Sequence, residues 1–186
     1  MKPPSTSKPL KLEPASPIPP AGLRELLNDL GDGENGYMGT PVPSGKMALE
    51  EYLRRCVAAT DPAQVPPGLV PQTTFWVLDG EGVAIGMVRM RHCLNEKLLA
   101  HGGHIGMYVR RDRRGRGHAK EILRLALDEL RKTGEKRALL TISVDNLPSI
   151  RSVESGGGRL EDVRMDPETG KQFGRYWIDL EPQPRA

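Results

Sequence analysis

The sequence predicts a mixed α/β (α+β) fold around one sheet, and three observations carry that reading. Thirteen of the seventeen prolines lie at or before Pro71 and none follows until Pro148, which leaves a long span free for unbroken strands and helices. Within that span, short apolar runs bounded by Gly and Asp read as strands. Between two of them, Ala119, Ile122, Leu123, Ala126, Leu127 and Leu130 are spaced by three and four, the helical period.

The elements follow in order. The first twenty residues hold seven prolines with Ser, Thr and Lys, a composition for extended or disordered chain, with Leu10-Lys11-Leu12 as a short edge strand. Residues 21–30 (Leu23, Leu26, Leu27, Leu30) and 46–59 (Met47, Leu49, Leu53, Val57, Ala58) read as helices, the second capped by Ser44. The linker from Gly31 to Gly45 reads as a loop long enough to shape a substrate pocket. Thr73–Leu78, a turn at Asp79-Gly80-Glu81-Gly82 and Val83–Arg91 predict a hairpin. A Leu- and Gly-rich connection leads to a strand at 104–109, a helix at 117–132 stopped by Gly134, and a strand at 137–144. A short helix at 148–155 and strands at 159–165 and 172–180, joined by Asp166-Pro167-Glu168-Thr169-Gly170, complete the order. Residues 8–182 are expected to form a single domain, with a flexible Pro-rich start at 1–7 and a tail at 183–186.

Composition excludes several classes. No apolar run reaches membrane-spanning length, and the N-terminal residues lack the apolar core of a signal peptide. Cys56 and Cys93 occur singly in unlike contexts, so they suggest neither a disulfide framework nor a zinc site, and a reducing cytoplasm is the expected compartment. His101-Gly102-Gly103-His104 is weak evidence for a metal site, and none is expected.

Charge concentrates at one place. Residues 110–120 carry five Arg and one Lys against Asp112, a local charge of +5 in a chain of net charge +3. The stretch Arg114-Gly115-Arg116-Gly117-His118-Ala119 joins an apolar strand to the amphipathic helix. A glycine-containing turn that opens a helix leaves backbone N–H groups without partners, and these attract a phosphate together with the helix dipole. Localised charge favours a compact anion over a long duplex. Aromatics at 4% are too few for a stacking nucleic-acid surface, so nucleic acid is an unfavoured partner. A dinucleotide-binding Gly-x-Gly-x-x-Gly is absent, because Lys120 stands where the third glycine would fall.

The element order and these turn residues resemble the GNAT superfamily of acyl-CoA N-acetyltransferases. Arg114, Gly117 and Ala119 match its pyrophosphate motif in register, with Gly115 and Arg116 as filling. Asn146, Ser149 and Glu154, followed by Gly157-Gly158, are similar to the family's asparagine-to-glycine segment. The end, Gly174-Arg175-Tyr176-Trp177-Ile178-Asp179-Leu180, is similar to a bacterial branch of predicted acetyltransferases. The resemblance covers residues 8–182 and implies a mostly antiparallel sheet, splayed at strand 104–109, with acetyl-CoA in the opening.

On that resemblance, the backbone of Met107, Tyr108 and Val109 is expected to pair with the pantetheine arm. The amides of Arg114, Gly115, Arg116, Gly117, His118 and Ala119 are expected to hold the pyrophosphate, with Asn146 and Ser149 near the far side of the cofactor. Gly106 is the expected site of a bulge that opens the sheet. The N–H of Val109 is the expected oxyanion donor. Many relatives use a tyrosine as general acid after the asparagine, but Val153 stands at that position, so Tyr108 or water must substitute. His104 is the first candidate for general base, because an imidazole titrates near neutrality. A hydrogen-bonded strand-end histidine is the alternative. Glu154 reads as structural or capping; Tyr176 and Trp177 could close the acceptor pocket, with core packing as the alternative for Trp177. Arg110, Arg111 and Arg113 are candidates for the 3′-phosphate or for solvent.

The function so implied is transfer of an acetyl group from acetyl-CoA to a primary amine in a ternary complex, with no metal. The rival readings are a non-catalytic acyl-CoA-binding or regulatory module and, behind it, a nucleic-acid binder. The acceptor amine is not identified by these residues, and a homodimer paired through the late strands is left open.

Overall fold

The computed structural model describes residues 9–181, so the expected flexible start at 1–7 and tail at 183–186 lie outside the described residues. The chain runs β1 (Lys11–Pro14), α1 (Leu23–Leu30), β2 (Gly33–Glu34), β3 (Tyr37–Met38), α2 (Leu49–Ala58), β4 (Gln72–Leu78), β5 (Ala84–Arg91) and α3 (Glu96–Ala100). It continues with β6 (Ile105–Val109), α4 (His118–Arg131), β7 (Arg137–Ser143), α5 (Leu147–Ser155), β8 (Arg159–Met165) and β9 (Gln172–Asp179).

These strands form a mixed α/β architecture whose ladders are antiparallel. One sheet has the order β1-β4-β5-β6 and a second the order β7-β9-β8. The two meet where β6 and β7 touch, through an isolated bridge between Gly103 and Leu140 and the N–H of His104 donating to the Leu139 carbonyl at 2.7 Å. Beyond that contact no ladder joins β6 to β7 among the described residues, so the strand at 104–109 does splay from its neighbour.

Alternation along the strands sends side chains to two cores. On one face, Phe75, Val77, Val88, Met90 and Ile105 pack with Ile122, Leu123, Ala126, Leu127 and Leu130 of α4. On the other, Trp76, Leu78, Met87 and Tyr108 pack with Leu23, Leu26, Leu27 and Leu30 of α1 and Tyr52, Leu53 and Cys56 of α2.

Several sequence expectations change here. Ser44 does not cap α2: its hydroxyl donates to the Pro41 carbonyl, and Ala48 stands at the cap with no side-chain bond. The linker from Gly31 to Gly45 contains the β2–β3 hairpin, whose turn places Asn35 and Gly36 at φ 50° and 84°. Positive φ at both central residues is what a two-residue type I′ turn demands. The connection after β5 holds α3, capped by the Asn95 side chain, which accepts from the Leu98 N–H. Gly106 carries no bulge, since β5 and β6 pair without a register shift from Gly86–Val109 to Met90–Ile105. Its missing Cβ instead lets Tyr37 lie on the strand; a Cβ there would sit 3.1 Å from Tyr37 Cε2.

Candidate active site

The turn between β6 and α4 combines conformation and electrostatics. Gly115 and Gly117 adopt φ 73° and 81°, and Gly117 is the helix N-cap with no side-chain capping bond. The N–H groups of Gly115, Arg116, Gly117, His118 and Ala119 find no acceptor among the described residues. Five consecutive free donors at a helix start form a cradle for an anion. A groove of about 590 Å³ begins at Gly117 and runs between α4 and the end of α5, lined by Lys120, Leu123, Arg124, Leu127 and Ser155 among others.

The free edge of β6 supplies a second set of donors. The Arg110 N–H donates to the Ile85 carbonyl, and the Arg91 N–H donates to that of His104. By antiparallel alternation, these two bonds fix Gly86–Val109 and Met90–Ile105 as pairs that exchange no bonds with each other. Met107 and Val109 therefore turn their N–H groups away from β5, toward the opening beside β7. Tyr108 has the opposite parity, so its backbone groups serve the ladder with Met87 and are not available to a ligand.

The side chain of Tyr108 points into the α1 side. It is buried and donates to Asp29 Oδ2 at 2.7 Å. Burial first, then the bond to Asp29, pushes its pKa up to about 12. A phenol so engaged does not reach the opening, which corrects the expectation of Tyr108 as general acid. Val153, at the position where relatives carry tyrosine, is buried in the core and contacts Gly158 closely.

His104 also departs from its expected role. Its ring is buried, and Nδ1 accepts the Leu139 N–H at 2.9 Å. That bond leaves the proton on Nε2, which has no hydrogen-bond partner and lies 3.7 Å from Glu135 Oε2. Burial, with the Arg91 charge added, lowers its pKa to about 4. The lone pair a base would use is taken, so the imidazole ties β6 to β7 at the base of the splay.

Carboxylates unforeseen from sequence organise the arginines. Arg114 Nη1 and Nη2 donate to the two oxygens of Glu34 at 2.8 and 3.0 Å, while its Nε donates to the Val109 carbonyl at 2.9 Å. Arg111 donates to Glu34 Oε2 at 3.0 Å, to the Asp29 carbonyl, and from its backbone N–H to Asp29 Oδ2. Arg110 meets Asp112 and Arg113 meets Asp79 and Asp112, so the three candidates for the 3′-phosphate are held by carboxylates instead. Arg116 and Lys120 form no ion pair among the described residues.

Cations and rings alternate across the β2–β3 hairpin. Arg89 lies 4.7 Å over the Tyr37 ring, Tyr37 lies 6.1 Å from Tyr108, and Arg114 lies 5.3 Å over Tyr108. The signals for Glu34 and Tyr37 were present in the sequence as Asn35-Gly36, the strongest short hairpin signal, inside a segment read as loop.

The remaining candidates are farther out. The Asn146 side chain caps α5 by accepting the Ser149 N–H at 3.3 Å, so both residues sit at the helix start after β7. Glu154 is exposed on α5. Tyr176 is buried in the core with α4 and β7, whereas Trp177 is half-buried, donates to Glu161 Oε2 at 3.0 Å and lies under Arg137. Its indole thus faces the sheet surface rather than the core. No group of three His, Cys, Asp or Glu suited to a metal occurs among the described residues.

Comparison with known proteins bears on this arrangement. A family model described as the Acetyltransferase (GNAT) family matches residues 45–156. Among solved structures, the spermidine/spermine N-acetyltransferase SpeG from Vibrio cholerae is 18% identical, with a TM-score of 0.64 over 92% of this chain and 93% of that one. YncA from Salmonella typhimurium, solved with its cofactor acetyl-CoA, is 15% identical, with a TM-score of 0.61 over 95% and 96%. An acetyltransferase of the GNAT family from Streptococcus pneumoniae is 15% identical, with a TM-score of 0.62 over 91% and 98%. At these identities the likenesses show the fold. No curated protein matches the sequence.

Proposed function

The chain belongs to the GNAT acetyltransferase family and is an acetyltransferase, and we propose that it moves the acetyl group of acetyl-CoA directly to a primary amine within a ternary complex. The observation that carries this reading is the run of five unpartnered N–H groups from Gly115 to Ala119 at the start of α4. Those donors fit a pyrophosphate; the Arg114 N–H, expected among them, donates to the Arg111 carbonyl at 3.4 Å instead, and Arg114 contributes through the pose that Glu34 gives its side chain. The groove along α4 and the end of α5 fits the remainder of the cofactor; Asn146 and Ser149, proposed near its far side, stand at the start of α5 and do not line this groove.

Met107 and the N–H of Val109, whose carbonyl accepts from Arg114 Nε, offer the backbone edge that pairs with the pantetheine arm. The Val109 N–H, fixed by the strand, faces the thioester oxygen and stabilises the charge that grows there. In the transfer itself, the amine nitrogen attacks the thioester carbon, the carbon–sulfur bond breaks, and the thiolate takes a proton while the amine gives one up. Water carries those protons, because Val153 is apolar, Tyr108 donates to Asp29, and His104 has its lone pair bound. Catalysis then rests on orientation and on the oxyanion donor. His104 acts as a positioning residue that fixes β6 against β7.

No helix is long and apolar enough to cross a membrane among the described residues. Both cysteines are free thiols, which supports a reducing cytoplasm. SpeG from Vibrio cholerae is described as dodecameric, and pairing of this chain through its late strands is a corresponding proposal. Thiol release from acetyl-CoA in the presence of an amine library tests the reading. Saturable turnover with at least one primary amine is expected; cofactor binding without any turnover would leave a non-catalytic acyl-CoA module.

A further inference from the structure

We infer that the acceptor is an amine that also carries an acidic group, held by Arg89 and Arg91; this rests on the acetyl-transfer reading above. Five described arginines are buried or half-buried: Arg89, Arg91, Arg110, Arg113 and Arg175. Arg110 pairs with Asp112, Arg113 with Asp79, and Arg175 with Glu161 and Asp162. Arg89 and Arg91 meet no carboxylate within 4.0 Å among the described residues.

Their hydrogen bonds go to neutral carbonyls. Arg89 donates to Met38 at 2.9 Å, and Arg91 donates to Gly103 at 2.8 Å and Gly102 at 3.3 Å. Carbonyls satisfy N–H groups but supply no countercharge. The two residues are two apart on β5, so they share one sheet face. Burial, then the neighbouring Arg89 charge, hold Arg91 below its ordinary pKa, whereas Arg89, lowered by its own burial, is raised overall by Tyr37, Tyr52 and Cys56. Buried cations are ordinarily paired with an anion, and here, although Arg89 lies over the Tyr37 ring, no anionic partner is found among the described residues.

Position ties this charge to the reaction. Arg89 stands opposite Gly106, and Arg91 donates its N–H to the His104 carbonyl, so both lie beside the strand that presents Met107 and Val109 to the opening. The carboxylates of this side, Asp29 and Glu34, are committed to Tyr108, Arg111 and Arg114. A polycationic amine would meet two guanidinium groups and no free carboxylate. An amine bearing a carboxylate or phosphonate would supply the missing anion, and a guanidinium fork binds either group bidentately.

The test measures thiol release from acetyl-CoA with matched acceptors: α-amino acids, their aminophosphonate analogues, their carboxamides, and spermidine. Acetyl-CoA binding is followed separately by calorimetry. The acidic amines are expected to show kcat/KM at least about tenfold above the carboxamides and spermidine, the scale of one charge-assisted pair. The better of the carboxylate and phosphonate series identifies the acidic group. Arg91→Gln is expected to shrink that preference to about threefold or less while acetyl-CoA affinity stays within about twofold. Arg91→Lys, which keeps charge but loses the fork, is expected to fall between. Equal or better turnover of carboxamides or spermidine overturns the proposal, as does acetyl-CoA binding with no acidic amine acetylated. Selectivity that survives both Arg89→Gln and Arg91→Gln removes these residues from it. Failure of acetyl-CoA to bind is seen before any acceptor is added; it overturns the transfer reading, and this proposal with it.

Discussion

Arg114 clasps Glu34 through both carboxylate oxygens, at 2.8 and 3.0 Å, and so joins the turn before α4 to the hairpin between α1 and α2. One residue begins the cofactor motif; the other stands on the segment that covers β6. Glu34→Gln should loosen that hairpin and raise the acceptor KM by about fivefold, the scale of a partly exposed ion pair near 1 kcal/mol. Steady-state kinetics with the acceptor varied checks this, and an unchanged KM would disconnect the hairpin from the acceptor.

Stability should fall in two separate acid windows. His104 has a folded pKa of about 4 against an ordinary 6.5, so the unfolded chain binds the proton more readily. Stability is therefore complete above 6.5 and declines as pH falls toward 4, by roughly 3 kcal/mol in all. Glu34 is lowered by its bond to Arg114, which outweighs burial; Asp29 is raised by burial but lowered overall by Tyr108 and Arg111. Their contributions are present above the ordinary carboxylate values and are lost only as pH drops below them. Urea titrations at a series of pH values would read both windows, and Glu34→Gln should flatten the lower one.

His104→Asn separates tether from base. An Asn side-chain carbonyl can accept the Leu139 N–H as Nδ1 does, without titrating. The upper acid window should then flatten, and kcat/KM at neutral pH should stay within about threefold of the parent. A drop of about a hundredfold or more, the usual contribution of a general base, would restore His104 to the chemistry.

Gly117→Ala tests the cradle. At φ 81° an alanine costs about 1 kcal/mol, yet no atom within 4 Å opposes its Cβ. The variant should fold with a modestly lower Tm and lose acetyl-CoA affinity by about tenfold or more, since backbone pose and close approach are both disturbed. Affinity unchanged by calorimetry would shift the anion site away from this turn.

Tyr37→Phe removes a buried hydroxyl that has no hydrogen-bond partner among the described residues. Stability should be unchanged or higher by about 1 kcal/mol, because the unmet desolvation cost disappears. Destabilisation in urea would mean that the hydroxyl finds a partner in solution.

Local patterns carried much of this fold in the sequence. The spacing from Ala119 to Leu130 located α4, the Asp79–Gly82 turn located the β4–β5 hairpin, and Gly115 and Gly117 located the left-handed turn that opens α4. Long-range pairings were not legible. Nothing near Arg114 in sequence names Glu34, eighty residues away. The environment of His104 depends on Leu139, whose N–H is a backbone group with no sequence signature. Arg89 and Arg91 alternate with apolar residues as any half-exposed strand would, and only the surrounding elements reveal that no carboxylate reaches them among the described residues.

The most direct measurement is a calorimetric titration of the protein with acetyl-CoA. Saturable binding of one molecule per chain is expected in the micromolar to submillimolar range typical of enzyme co-substrates. No saturable heat at millimolar acetyl-CoA would contradict the assignment of the Gly115–Ala119 turn as its pyrophosphate site.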